Sequence, residues 1–204
     1  MSRFITIFFI LAALSTSLLI DVRSAAAQTP ATRLSPAEAK RIIGARSLSV
    51  VRALKQRDMR RLSSFVHPDK GLRFSPYVYV QSSDRVFTRW QVATLFRNNR
   101  RYLWGDEDGT GDPLRLTARQ FFNGFIYDKD FLRAKEVNYN TVRGRGNTIN
   151  NILDFYPRAI AVEYYLPGTN PRYSGMDWGS LWLAFEQKGN SWYLVGLASD
   201  EWTT

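Results

Sequence analysis

Cysteine is absent from the 204 residues, and histidine occurs once, as His67. No disulfide framework, thiolate nucleophile or cysteine-held zinc or iron–sulfur site can form, and a single histidine removes most other metal chemistry. Also missing are a serine nucleophile elbow, a phosphate-binding loop, a dinucleotide fingerprint and an H-E-x-x-H motif. No cofactor or metal is therefore expected. Acidic side chains are scarce beside basic ones, 18 against 28, which gives a formal charge of +10. Hydrophobic residues at 45% and charged residues at 23% are ordinary for globular chains, which excludes a mostly disordered or membrane-embedded protein.

One long apolar run exists, Phe4 to Ile20, behind the short basic start Met1-Ser2-Arg3. Ala25-Ala26-Ala27 follows as a small-residue cleavage site before Gln28. A retained anchor is the competing reading, since seventeen residues approach the ~20 needed to span a bilayer. Asp21 and Arg23 beside the alanines favour cleavage, and the lack of cysteine excludes a lipoprotein. The expected organisation is a signal peptide over 1–27, a flexible lead over 28–34 and a single α+β domain over 35–204. That predicts a periplasmic or secreted protein with no stable membrane anchor after cleavage.

Charge is unevenly spread. Residues 33–61 carry nine Lys or Arg against Glu38 and Asp58, whereas residues 145–204 carry four basic and six acidic side chains. In a cytosolic protein the basic stretch would suggest nucleic acid. An exported protein rarely meets any, so no nucleic acid is expected. The partner it suggests is an anionic envelope surface or a protein, against the plainer alternative of a solvated helix face.

Ser35-Pro36-Ala37-Glu38 opens a helix by capping box and first-turn proline. Ile43, Ser47, Val50 and Leu54 form its inner stripe, with Arg41, Arg52 and Lys55 facing water. Asp58 restarts a short helix bearing Leu62, Phe65 and Val66, and His67-Pro68-Asp69-Lys70-Gly71 ends it. Extended pieces follow at 72–74 and 77–81, then capping boxes at Thr88/Gln91 and Thr117/Gln120, with a turn-rich loop over 105–113 between them. Strands are predicted at 159–166, 180–187 and 191–198, the last two joined by a tight turn at Lys188-Gly189-Asn190. Helices first and antiparallel strands last describe an α+β domain, with the last two strands in a curved antiparallel sheet wrapped over helix 35–56. Strict alternation on the last two strands pairs Leu194 with Gly196 on one face and Tyr193 with Leu197 on the other.

A helix ending in ALKQRDMRRLSSFVHPDKG, an extended arm, small helices and a terminal hairpin closing on SWYLVGLASDEWT resemble the nuclear-transport-factor-2-like superfamily. Its members include ketosteroid isomerases and SnoaL-like cyclases, and the resemblance implies a cone-shaped sheet around a pocket. VHPDKGLRFSPYVYV, YLWGDEDGTGDPLRLT, NTINN and WYLVGLASDEW are similar to an uncharacterised domain of secreted bacterial proteins, over roughly residues 45–204. That closer likeness brings no catalytic residues with it.

His67 is the first acid–base candidate because its unperturbed pKa lies near neutrality; the alternative is a histidine that fixes its own turn. Asp128 and Asp130 are candidates if apolar neighbours raise their pKa, and otherwise they end a helix at the surface. Asp106, Asp108, Thr110 and Gly111 open like a calcium loop, but Thr117 replaces the closing Glu and Pro113 breaks it. Tyr139, Trp178, Trp182 and Tyr193 are candidate ligand contacts in a C-terminal third rich in aromatics, and the amides of Asn138, Asn140 and 147–151 suit either polar ligands or turns. Two functions follow: a non-catalytic exported binding module, or a small-molecule isomerase, dehydratase or cyclase using His67 and an Asp in a cone cavity. A pocket holding His67 near a carboxylate favours the second, and an interior filled by the chain's own aromatics favours the first.

Overall fold

A computed structural model describes residues 33–202. The expected signal segment over 1–27 and most of the lead lie outside the described residues.

Helix α1 (Pro36–Lys55) starts where its capping box predicts. The Glu38 amide donates to Ser35 Oγ at 3.3 Å, and the Ser35 amide donates back to Glu38 Oε2 at 3.0 Å. Ile43, Ser47, Val50 and Leu54 are buried, while Arg41, Arg52 and Lys55 are exposed. Arg57 turns the chain in the left-handed region, and Asp58 caps α2 (Met59–Phe65) through the Arg61 amide.

Strand β1 (Leu72–Ser75) pairs with β2 (Arg85–Phe87), which leads into α3 (Arg89–Thr94) behind the Thr88 cap. A separate hairpin follows, β3 (Arg101–Asp106) with β4 (Pro113–Thr117), then α4 (Ala118–Phe121), which runs on into a π-helical turn, Phe122–Ile126. The turn-rich loop expected over 105–113 forms the turn of this hairpin, flanked by two paired strands that the sequence pattern did not single out. Its strands pair, and only the turn, closed by the Glu107 amide on Asp112 O, is irregular. β5 (Glu136–Tyr139) and α5 (Ile152–Phe155) precede the long strands β6 (Ile160–Leu166), β7 (Gly179–Lys188) and β8 (Ser191–Glu201).

The main sheet runs β2-β1-β8-β7-β6-β5, so it ends in two edges and is not a closed barrel. Its pairings are antiparallel except β1 with β8, which is parallel. This corrects the expectation of a purely antiparallel sheet. The arm after α2 enters in the direction of β8, and bridges such as Val66 to Leu194 start the parallel pairing before β1 begins.

Both faces of the sheet are covered. On the α1 side, Phe74, Val162, Leu181, Leu183, Phe185, Leu194 and Leu197 join the helix stripe in one core. Each fully buried aliphatic side chain there contributes about 1.5–3 kcal/mol. The Ser47 and Tyr164 hydroxyls, hydrogen-bonded at 2.9 Å, tie α1 to β6. On the far side Trp182, Ala184, Val195 and Ala198 pack against Val78, Val80, Ile152 and Tyr156. The register shifts between Ala184 and Phe185, which pair with Gly196 and Leu194 and leave Val195 as an extra residue. That bulge puts Leu194 and Leu197 on the same face, so the strict alternation expected for β8 does not hold. Residues 77–81 do not form a strand. The Asn151 amide supplies the pairing instead, accepting from the Val80 N–H at 2.7 Å and donating to its carbonyl at 2.9 Å.

An aromatic cluster joins the β3–β4 hairpin to the core. Trp104 stacks on Phe121 with ring centroids 3.9 Å apart and lies edge-on to Phe74. Its indole N–H donates to Leu116 O at 2.9 Å, so its polar atom is satisfied despite burial.

Candidate functional site

His67 is buried at the turn that follows α2. Its Nδ1 accepts from the Asp69 amide at 3.2 Å and the Lys70 amide at 3.1 Å, and its ring meets the edge of Tyr193. Gly71 closes the turn onto His67 O with φ +71, where a side chain would also strike Phe87 O. Burial lowers the imidazole pKa, ahead of the opposing effect of Asp69. The accepting nitrogen is therefore occupied by the histidine's own turn.

Asp128 pairs with Lys129 at 2.7 Å. Asp130 pairs with Lys55 at 2.7 Å and accepts from the Tyr127 hydroxyl at 3.0 Å; the Lys55 bond holds its carboxyl below the usual range. The structure does not bring these groups to His67. The His67 backbone donates to Leu194 near the start of β8, while Lys129 reaches Glu201 at its end. Seven residue steps along the strand separate those positions by roughly 20 Å.

The aromatic candidates are likewise dispersed. Tyr139 is buried on the α1 side, where burial raises its pKa against a hydrogen bond with Ser47. Trp182 is buried on the far side, and Trp178 rests on Gly146, where a Cβ would come within 2.8 Å of its ring. Tyr193 lies half-buried between Arg46 and Arg89, whose guanidinium carbons stand 5.6 and 5.7 Å from its centroid. Asp106, Asp108 and Asp112 are exposed in the hairpin turn, and among the described residues no three His, Cys, Asp or Glu side chains gather to hold a metal ion.

A buried polar network occupies the far side of the sheet, and sequence reasoning did not single it out. Glu163, 1% exposed, accepts from Ser180 Oγ at 2.7 Å and Asn138 Nδ2 at 2.8 Å, and stands 3.4 Å from Arg145 Nε. Arg145 also pairs with Glu136 and lies 3.5 Å above the Tyr165 ring. Asp200 is buried nearby, its pKa pushed up to about 7 by desolvation and then by the Glu163 charge. The Trp182 indole N–H favours the ionised form, yet neither that N–H nor Asp200 Oδ1 makes a well-formed hydrogen bond. The signal was present in the sequence: Glu163 interrupts the apolar run IAVEYYL, where a charge must find partners or neutralise.

Glu136 and Tyr165 connect this network to an open groove of roughly 770 Å³ at the end of β6. Tyr165, Leu166 and Pro167 give it apolar surface, and Lys129, Arg133 and Lys135 bring positive charge. Its carboxylates already serve the chain itself. Asp130 holds Lys55, Glu136 holds Arg145, and Asp177 accepts from the Thr169 and Asn170 amides. Lys129 is held by Asp128 and Glu201, whereas Arg133 and Lys135 have no ion pair or side-chain hydrogen bond within the described residues. The volume falls within the range of small-ligand sites, and the free groups are hydrogen-bond donors. Compared with known proteins, the chain matches no family model, no curated sequence and no solved structure.

Proposed function

We propose that this protein is an exported, non-catalytic binding module of the bacterial envelope, with a cone-like fold of the nuclear-transport-factor-2 type, that takes an anionic partner. The observation that carries this reading is the groove at the end of β6, where each carboxylate already has a donor and the donors Arg133 and Lys135 have no acceptor within the described residues. Arg41 and Arg52, exposed on α1, add cationic surface of the same sign. Helices α1 and α2 laid against one face of a sheet whose last two strands form a hairpin support the fold reading. The aromatic filling around Trp104 and Phe121 supports binding over turnover in an internal cavity.

The test is retention of the mature protein on a sulfated polysaccharide column and on vesicles containing phosphatidylglycerol. The Arg133→Glu/Lys135→Glu variant should lose at least tenfold in affinity, and native retention should weaken between ~50 and ~200 mM salt. Binding indifferent to both changes rejects the proposal. N-terminal sequencing of exported material should begin at Gln28. The enzyme reading keeps one observation in its favour, a buried carboxyl, Asp200, that titrates near neutrality. Turnover of any small substrate that disappears in a folded Asp200→Asn variant would establish it instead.

A further inference from the structure

A second concave site lies at the β2 edge of the sheet, away from the groove at β6, and is built almost wholly from one stretch of chain. β2, α3 and the start of β3 enclose about 380 Å³. Trp90 stands at its rim with 74% of its surface exposed, beside the exposed Val86. Isolated exposed aliphatics need no explanation, but an indole left this open on a short helix contributes nothing to the core. The floor is aromatic: Phe87 meets Tyr102 edge to face at 5.3 Å, and Trp104 backs both rings.

Two guanidinium groups stand over the same Tyr102 ring. Arg85 and Arg100 each stand 5.4 Å from its centroid, and Arg85 Nε donates to Leu103 O at 3.0 Å. Among the described residues no acidic side chain lines the site, and neither arginine has a salt bridge. The amide side chains are turned into donors as well. Gln91 Oε1 is occupied by the Thr88 amide and Asn98 Oδ1 by the Arg100 amide, so their NH₂ groups are what remains to offer. Unused donors thus surround an exposed aromatic face.

We infer that this pocket binds a carboxylated pyranose, a uronic-acid unit of an acidic polysaccharide, with the sugar's apolar face on Trp90 and its carboxylate between Arg85 and Arg100. The chemistry matches group by group. A carboxylate takes paired N–H donors from a guanidinium fork, ring and hydroxyl oxygens accept from Gln91 and Asn98, and the C–H face of a pyranose lies flat on an indole. Inorganic phosphate would leave the indole unused. The inference rests on the reading of the protein as a binder of anionic envelope material, and adds to it a second site with its own ligand class.

The experiment is calorimetric titration of the mature protein with oligogalacturonate, with neutral cello-oligosaccharide, inorganic phosphate and phosphatidylglycerol vesicles as separate arms. Oligogalacturonate should bind in preference to the neutral sugar and phosphate. Trp90→Ala and Arg100→Ala should each weaken it at least tenfold, while Arg158→Ala, an exposed cation outside both sites, leaves it within twofold. Both pocket residues are exposed, so a native thermal transition in each variant separates loss of the site from loss of the fold. Native affinity in either pocket variant, equal binding of the neutral sugar, or vesicle binding alone that depends on Trp90 overturns the inference. Loss in the Arg133→Glu/Lys135→Glu variant, with native affinity in both pocket variants, overturns it while leaving the broader proposal standing. Failure of every anionic arm overturns both.

Discussion

Asp200 and Glu163 stand on either side of Ser180, which faces Asp200 in the β7–β8 register and donates its hydroxyl to Glu163 at 2.7 Å. Two carboxyl groups thus share one buried region, and the charge of the first is suppressed by the second as well as by desolvation.

A titration follows from that arrangement. Asp200 ionises near pH 4 when unfolded and near pH 7 when folded, so between those values the folded chain holds the extra proton. Stability should be highest near pH 4 as far as this group is concerned, and fall as pH rises to about 7, by up to a few kcal/mol. Urea denaturation across that range measures the slope. Asp200→Asn should flatten it, and Glu163→Gln should move the fall to lower pH. A slope unchanged in Asp200→Asn would assign it to another group.

His67 supports a turn through Nδ1, so a side chain that accepts from the same amides should replace it. His67→Asn is expected to cost about 1 kcal/mol and His67→Leu about 2–3 kcal/mol, because leucine leaves two backbone amides without their acceptor. The folded pKa is depressed, so the contribution is fully present above pH 6.5 and is lost as pH falls below it. Equal stability of the two variants would mean that the turn does not need the acceptor.

Gly196 lies under Tyr156, and a Cβ there would stand 2.7 Å from the phenol oxygen and 3.0 Å from Cζ. The ring is buried and cannot swing away freely. Gly196→Ala should therefore destabilise by about 1–3 kcal/mol, measured by thermal or urea denaturation. A neutral outcome would show that the far layer yields without cost.

Phe121 carries the stack with Trp104 and touches Phe125 as well. Phe121→Ala should cost about 3–5 kcal/mol in a denaturant titration. A loss under 1 kcal/mol would remove the hairpin from the cooperative core.

What could be read in the sequence was what is decided locally. The boxes at Ser35, Thr88 and Thr117 each form with the residue three positions on, because a cap needs only its own first turn. The Gly189-Asn190 turn between β7 and β8 is local in the same way. The parallel partner of β1 lies more than a hundred residues away, and no short-range pattern encodes it. The Val195 bulge was hidden because both of its possible faces are apolar, so the pattern carried no register. Asn140 and Asn151 read as turn residues yet act across the fold, Asn140 through Ala161 and Leu34, Asn151 through Val80. As for the site, the acid–base candidates were chosen by residue type, whereas Glu163 and Asp200 matter by burial, and burial is set by the far layer.

The position of β8 between β1 and β7 has a consequence for how the protein comes into being. Without that strand the sheet is two fragments, the β2–β1 pair and the β7–β6–β5 ladder, with nothing to zip them together. The strand that joins them follows every other described strand in the sequence. The sheet therefore stays open until β8 is in place, and it closes by contacts between distant segments, a slow route compared with helical bundles.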